Sequence, residues 1–212
     1  MAGLEVLHEG PGYVVVRKPA GIATELNFDN DTVERRAHTL WRRPNSPKTP
    51  FVGIVHRLDR PVGGVLLLAR NKSTLRRLNQ AFAERRVRKT YVALTEKPLP
   101  ETAGELRHLL GRDATRRRAV VAPRPGPGVS AAHLRYRLVG EEEGRFRYRI
   151  EPISGRFHQI RCQLAAAGAP IVGDAAYGAA TAYRPQQICL HAAALSFPGA
   201  EGEITVRSEP SF

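Results

Sequence analysis

The 212-residue chain is poor in several residue types, and each shortage excludes a class of protein. Its two cysteines, Cys162 and Cys189, fall in segments that predict regular structure, so we expect free thiols rather than a disulfide framework. The seven histidines lack the spacing of metal ligands, and no metal site is predicted. No apolar run approaches the roughly 20 residues of a membrane helix, and the first residues lack an export signal. We therefore expect a soluble, cytoplasmic protein.

Acidic residues and lysine are also scarce. The chain has 33 basic and 20 acidic residues, and 28 of the basic ones are arginine, which gives a net charge of +13. The planar arginine side chain binds phosphate through two hydrogen bonds and stacks on bases. The composition therefore favours nucleic acid as the partner. A basic surface that binds nothing, or one that binds anionic lipid, is the alternative.

The apolar pattern predicts runs of strands with helices interspersed irregularly. This order is typical of an α+β fold with a mixed, mainly antiparallel sheet and flanking helices. Strands are predicted at residues 12–18, 65–69, 89–94, 134–138, 145–150, 190–197 and 202–206. Helices are predicted at 33–41, at a segment capped by Ser73 or Thr74 that places Leu75, Leu78 and Phe82 on one face, and at 157–167. No long linker interrupts the pattern, so a single domain over residues 1–212 is expected.

The region from Glu105 to Arg137 holds eight arginines against two acids, and its Pro- and Gly-rich part predicts a basic, flexible insertion around residues 105–130. Beyond it, arginines alternate with apolar residues along residues 134–138 and 145–150. This alternation predicts a hairpin with one apolar and one basic face. The basic face is either a solvated surface or a contact surface for RNA.

The segment His56–Arg60 sets one carboxylate, Asp59, between Arg57 and Arg60, directly before an apolar run. This pattern predicts a turn that presents an acid, held in place by a buried strand. Flanking guanidinium groups favour the ionised form of Asp59, so it is available as a nucleophile or base. A plain surface ion pair is the alternative.

Three separated segments together resemble the RluA-type family of RNA pseudouridine synthases. They are His56–Arg60 with Gly64–Ala69, then Arg88–Leu94, and finally Ser154–Arg161 with Gly168–Asp174 and Tyr177–Gly178. Lys18–Gly21 and Leu190–Ala192 add support, so the resemblance spans most of residues 4–208. It implies the pseudouridine synthase fold, an RNA substrate (rRNA or tRNA), no cofactor and a monomer.

By this resemblance Asp59 is the catalytic carboxylate, Tyr91 stacks on the uracil, and Arg161 pairs with the catalytic acid. The reaction breaks the bond from N1 to C1′, turns the uracil over, joins C5 to C1′ and releases the C5 proton. Neither a nucleoside triphosphate nor a metal is needed. A carboxylate acts either by covalent attack or by removing a sugar proton to give a glycal-like intermediate, and both routes stay open for Asp59.

The target base must leave the RNA stack, and the resemblance assigns Arg57 to the space that it vacates. Arg60, His158, Gln159 and Ile160 are expected to bind substrate, with Ile160 on the apolar wall of the pocket. Without the resemblance, Tyr91 reads as a core tyrosine and Arg161 as a solvated arginine on a helix surface.

The chain departs from the family pattern in two places. Val62 and Gly63 stand where the family usually has hydroxyl residues, and Phe157 stands where it has threonine. Asp59, Tyr91 and Arg161 are present, so activity is expected. Many relatives carry a separate N-terminal RNA-binding domain, whereas the pattern here begins within the first dozen residues. A stand-alone catalytic domain is therefore expected, which holds RNA through its own surface and its basic insertion.

Two other functions fit parts of the sequence. A protein that kept this fold and its RNA binding but lost turnover, such as an RNA chaperone, would show the same basic composition. An Asp-dependent glycosidase or nucleotide hydrolase would need a second carboxylate, for which Asp174 is the one candidate. Gly173–Asp174 instead predicts a turn that orders Tyr177.

Overall fold

The computed structural model describes residues 3–26 and 30–212; residues 1, 2 and 27–29 of the predicted domain lie outside the described residues. In chain order the strands are β1 (Glu5–Gly10), β2 (Tyr13–Lys18), β3 (Gly53–Ile54), β4 (Gly63–Ala69), β5 (Arg88–Thr95), β6 (Ala103–Asp113), β7 (Arg118–Val121), β8 (Ser130–Glu142), β9 (Arg145–Pro152), β10 (Leu190–Pro198) and β11 (Glu203–Arg207). The helices are α1 (Val33–Leu40), α2 (Lys72–Ala83) and α3 (Gln159–Ala166), with a 3₁₀ turn at Ala175–Tyr177. Strands mixed with three irregularly placed helices confirm the predicted α+β class.

The chain forms two compact units, Met1–Lys89 with His191–Ser211, and Thr90–Leu190 with Phe212. In the first unit, β2 lies between β1 and β4 and is antiparallel to both. Strand β10 is parallel to β4, which makes this sheet mixed as predicted, and it also pairs with the antiparallel strand β11. All seven residues of β4 are buried, because both faces of this continuous apolar run are covered.

The helices of the first unit follow their local capping signals. Thr32 caps α1, and its hydroxyl accepts a hydrogen bond from the Arg35 amide at 3.1 Å. The predicted cap of α2 is wrong: Asn71 caps the helix through its Oδ1, which accepts from the Thr74 amide at 2.8 Å. Asparagine is at least as good a cap as serine or threonine, and it comes first along the chain. Within the described residues, no helix has the length and apolar character to cross a membrane.

The second unit contains a fully antiparallel sheet in the order β5, β9, β8, β6, β7. The predicted flexible insertion is therefore wrong for most of its length. Residues 103–113 and 118–121 are paired strands, and β8 begins at Ser130. Exposed and partly buried side chains alternate along the first six residues of β6, but this period does not continue through the rest of the strand. The pairing with β8 is also not visible from local sequence.

Helix α3 covers the inner side of this sheet. It begins at Gln159 rather than at Phe157, because His158 adopts a left-handed backbone conformation with φ of 49°. A small core cluster joins Cys162 of this helix to Leu110, Ala119 and Ala132. The prediction of free thiols is confirmed, since Cys162 and Cys189 are both buried and unpaired with each other.

Candidate active site

The acid turn, residues 56–62, connects β3 to β4 in the first unit. Its backbone is fixed by the segment that follows β2. The Thr24 hydroxyl donates to the Leu58 carbonyl at 3.1 Å and also accepts from the Leu58 amide at 3.3 Å. The Gly21 amide donates to the Arg60 carbonyl at 2.8 Å, and the Val62 amide closes the turn on the Asp59 carbonyl at 3.0 Å. Asp59 is thus held on a rigid loop.

A buried lysine lies beneath this turn. Lys18 has no exposed surface, and its ammonium group donates to the carbonyls of Pro19, Arg60 and Val62 at 3.0, 3.2 and 2.7 Å. Three bonds use the full donor capacity of an ammonium group. Burial lowers the pKa of Lys18 to about 7, an effect that the charge of Asp59 opposes. In the sequence, Lys18 belongs only to a segment that supports the family resemblance, and no local pattern marks it as buried.

His56 ties the beginning of the turn to β4. Its Nε2 accepts a hydrogen bond from the Leu67 amide at 3.1 Å, and its ring stacks on Phe82 at 5.2 Å. Because Nε2 is an acceptor, the ring is neutral and carries its proton on Nδ1. Removal from water lowers the pKa of His56 to about 3, and the Lys89 charge adds to this effect.

The end of the acid turn and the start of β4 are closely packed. Val62 is buried and offers its carbonyl to Lys18. Gly64 has φ of 120°, and a Cβ there would lie 2.3 Å from the Ala192 carbonyl oxygen. Glycine is therefore required at residue 64, where the backbone of β10 lies close beside that of β4.

The two arginines of the acid turn point to different partners. Arg57 is 65% exposed, and its Nη1 lies 2.9 Å from the Glu25 carboxylate, itself 49% exposed. The Arg60 Nε donates to the Gly21 carbonyl at 2.9 Å. Arg60 therefore helps to fix the turn, whereas Arg57 sits in a surface ion pair.

Tyr91 lies on β5 in the second unit, opposite Ile150 of β9, which in turn lies opposite Tyr136 of β8. Residues in lateral register share a face of the sheet. Ile150 and Tyr136 are buried, whereas Tyr91 is only partly buried. The ring of Tyr91 is thus at the margin of an apolar surface.

Arg161 of α3 is held by a carboxylate that follows the helix. Its Nε and Nη2 donate to the two oxygens of Asp174, both at 2.7 Å, and the two side chains are only 7% and 2% exposed. The alternative of a solvated Arg161 is therefore wrong. The guanidinium also lies 5.0 Å from the centre of the Tyr177 ring. The predicted turn at Gly173–Asp174 is present, and it supplies the partner for Arg161.

His158 links Arg161 to Tyr177. Its Nε2 is 3.0 Å from the Arg161 Nη1, and its Nδ1 is 3.0 Å from the Tyr177 hydroxyl. Arginine only donates, so Nε2 accepts and a neutral ring carries its proton on Nδ1. The Tyr177 hydroxyl then accepts from His158 and from the Ala119 amide, which donates at 2.8 Å. The left-handed backbone at His158 is stabilised by these contacts.

Phe157 packs against both a ring and a cation. Its ring stacks on His158 at 3.8 Å, and the Arg112 guanidinium lies 4.8 Å from its centre. Phe157 is a departure from the family pattern in the sequence, but its contact with Arg112 is not visible there, because Arg112 lies on β6, far away along the chain. The Phe157 ring covers one face of the His158 ring, which a threonine at residue 157 would leave uncovered.

The other two predicted substrate-binding residues on α3 are buried. Ile160 is 7% exposed and Gln159 is 4% exposed. The side-chain oxygen of Gln159, Oε1, accepts hydrogen bonds from the Ser154 hydroxyl and the Arg156 amide, and its Nε2 donates to the His133 carbonyl. Gln159 thus fastens the loop before α3 to β8.

The α+β architecture is that of pseudouridine synthases. The solved structure of human RNA pseudouridylate synthase domain containing 1 superimposes with a TM-score of 0.80 at 25% identity, over 99% of this chain and 84% of that one. Residues 12–166 match the family described as RNA pseudouridylate synthase. The chain belongs to this family, which confirms the resemblance to it.

Two curated relatives show how far the similarity extends. The chain is 31% identical over 192 residues to the uncharacterized RNA pseudouridine synthase YhcT of Bacillus subtilis, covering 89% of this chain and 62% of that protein. It is 32% identical over 174 residues to the dual-specificity RNA pseudouridine synthase RluA of Yersinia pestis, covering 81% of each. The chain thus spans less than two thirds of the Bacillus protein.

Proposed function

We propose that this chain converts specific uridines in structured RNA, either rRNA or tRNA, to pseudouridine. The observation that carries the proposal is the acid turn, in which buried Lys18 binds the carbonyls of Arg60 and Val62, directly after Asp59, in a chain of the RNA pseudouridylate synthase family. A turn fixed in this way presents one carboxylate in a constant position. We further propose that residues 1–212 act as one catalytic domain, as a monomer in the cytoplasm and without a cofactor.

In this proposal Asp59 supplies the catalytic carboxylate. It either attacks C1′ as the bond to N1 breaks, or removes a sugar proton to form a glycal-like intermediate. The freed uracil then turns over, C5 bonds to C1′, and the C5 proton leaves to a base. The reaction is an isomerisation, so it consumes no co-substrate.

Tyr91 and Arg161 complete the proposed catalytic set. The partly buried Tyr91 ring offers a flat surface for uracil, and its hydroxyl offers a group to accept or relay the C5 proton. Arg161 is proposed to pair with Asp59, with Asp174 fixing the plane of its guanidinium. Ile160 is proposed as an apolar wall, with His158 and Gln159 ordering that end of α3.

Arg57 is proposed to enter the RNA stack when the target base leaves it. The exposure of its ion pair with Glu25 supports this role, because surface ion pairs of this kind contribute only about 0–1 kcal/mol to stability. Arg57 can therefore exchange Glu25 for RNA at little cost. Arg60 is proposed to contact substrate while its Nε stays on the Gly21 carbonyl.

Release of tritium from cellular RNA labelled at C5 of uridine tests the proposal. We expect release with the natural chain, none with Asp59→Asn, and full release with Glu201→Gln, which removes an exposed carboxylate from the turn before β11. Asparagine matches aspartate in shape, so RNA binding should persist in that variant. Binding without release by the natural chain would instead leave an RNA-binding protein as its function. Turnover by Asp59→Asn would remove Asp59 from its role.

A further inference from the structure

The face of the second sheet opposite Tyr91 carries its charges in rows across the strands. We call it the outer face and define it by Glu105, Arg135, Glu151, Arg137 and Arg149. In one row Arg135 lies between Glu105 of β6 and Glu151 of β9. The Arg135 Nε is 2.9 Å from the Glu105 carboxylate. The charges of this row alternate in sign, and its two carboxylates flank its one arginine.

The next row, two residues along, is different. Arg137 of β8 lies directly opposite Arg149 of β9, and the row continues with Ala103 on β6 and Val92 on β5. Both arginines are exposed. Arg149 reaches Glu151 on its own strand at 3.2 Å, whereas no carboxylate within residues 3–26 and 30–212 lies within 4.0 Å of Arg137. The row therefore holds two like charges with one acid at its edge.

Like charges directly opposite each other in an antiparallel pair destabilise a sheet. An anion placed between the two side chains would remove that repulsion. A groove of about 630 Å³ opens at this position, and its lining includes Glu105, Arg135, Arg137, Val139, Arg149 and Glu151. The volume is in the range of ligand clefts in proteins. The groove gives the anion access to both guanidinium groups.

We propose that the outer face binds the phosphodiester backbone of RNA between Arg137 and Arg149, apart from the uridine that reacts. Side chains alternate along strands, so Tyr91 and Arg149, on rows one residue apart, project from opposite faces. Planar guanidinium groups match the geometry of phosphate oxygens, and the carboxylates of the neighbouring row limit where a phosphate can bind. This second contact rests on the proposed RNA substrate but not on catalysis.

The test measures the affinity of the protein for bulk transfer RNA at a series of NaCl concentrations. The Arg137→Gln/Arg149→Gln double variant is compared with Arg76→Gln/Arg77→Gln, which removes two exposed charges from α2 in the first unit. Each lost phosphate contact should reduce the slope of log K against log[salt] by about 0.7–0.9. We expect Arg137→Gln/Arg149→Gln, the outer-face variant, to lose about one to two such contacts, and its affinity at 0.1 M salt to fall roughly tenfold. The affinity of Arg76→Gln/Arg77→Gln, the α2 variant, should change much less.

Equal losses in the two double variants would overturn the proposal, because they would report net charge alone. Unchanged RNA affinity with lost binding to phosphatidylserine vesicles would overturn it in favour of a lipid surface. If the natural chain releases no tritium but the outer-face variant still binds RNA more weakly than the α2 variant, the phosphate site stands and the proposed isomerase function falls.

Discussion

Arg161 and Asp174 form a buried ion pair through two parallel hydrogen bonds, each 2.7 Å long. The carboxylate comes from the turn after α3, so the helix and the turn are connected through one guanidinium. His158 and Tyr177 contact the same guanidinium. The position of Arg161 therefore depends on these three side chains, and a substitution of Asp174 should reduce both the stability of the fold and the proposed catalysis.

We predict that Asp174→Asn lowers the free energy of unfolding by about 3–5 kcal/mol, because it removes the carboxylate charge that pairs with the buried Arg161 guanidinium. Urea denaturation measures the change. Glu84→Gln, which removes one partner of the exposed pair with Arg86, is the matched control and should have little effect. Equally small losses for both variants would show that the buried pair contributes no more than a surface one.

A second prediction concerns Lys18. Lys18→Met keeps the length and apolar stem of the side chain but removes three donors from carbonyls around the acid turn. Each buried carbonyl left unpaired costs about 1–3 kcal/mol, so we expect a loss of roughly 3 kcal/mol or more in unfolding free energy. The exposed Lys72→Met at the start of α2 is the control. Natural stability and full tritium release in Lys18→Met would refute the proposed support of Asp59.

The parts of the fold predicted correctly are those whose signals are local. Strand β4 is a continuous apolar run, and α1 has its cap and apolar period within one segment. Strands β6 and β7 were mispredicted because their partner strands, rather than their composition, determine them. The start of α3 was misplaced because the left-handed backbone of His158 depends on Tyr177 and Phe157.

The candidate site was only partly predictable for a similar reason. The roles of Asp59, Tyr91 and Arg161 came from the family resemblance and remain predictions. Lys18 looks like an ordinary solvated lysine in sequence, because nothing local shows that three carbonyls converge on it. The turn at Asp174 was predicted from Gly173, but its ion pair joins residues on separate elements.

The third prediction is a loss of stability in mild acid through His56. The folded ring has a pKa of about 3, against 6.5 in the unfolded chain. Between these values the unfolded state binds more protons, so stability rises with pH and is lost as pH falls from about 6.5 to about 3. His191, whose pKa burial lowers to about 4, acts in the same direction.

Urea denaturation at several pH values isolates the His56 contribution. We expect His56→Gln to reduce the dependence on pH between about 4 and 6, by up to about 1.4 kcal/mol per pH unit. An unaltered pH profile in His56→Gln would mean that protonation of this ring does not oppose folding.

The fourth prediction is that Phe157 and Arg112 are energetically coupled. A guanidinium over an aromatic ring contributes about 0.5–1 kcal/mol at a partly exposed site. A double-mutant cycle with Phe157→Leu and Arg112→Gln should therefore give a coupling energy of that size by denaturant unfolding. The same cycle with Arg116→Gln in place of Arg112→Gln should give none. Zero coupling in both cycles would show that the stack is incidental.

The fifth prediction separates base flipping from simple charge at Arg57. If Arg57 fills the space left by the target base, Arg57→Ala should lower the rate on a folded RNA hairpin more than on a short single strand, since an unstacked base needs no replacement. Glu25→Gln frees Arg57 from its surface pair and should leave both rates equal to or slightly above those of the natural chain. Tritium release from matched hairpin and single-stranded RNAs of one sequence measures both variants. Equal losses on the two RNAs for Arg57→Ala would assign Arg57 to phosphate binding, because that contact is present whether or not the base is stacked.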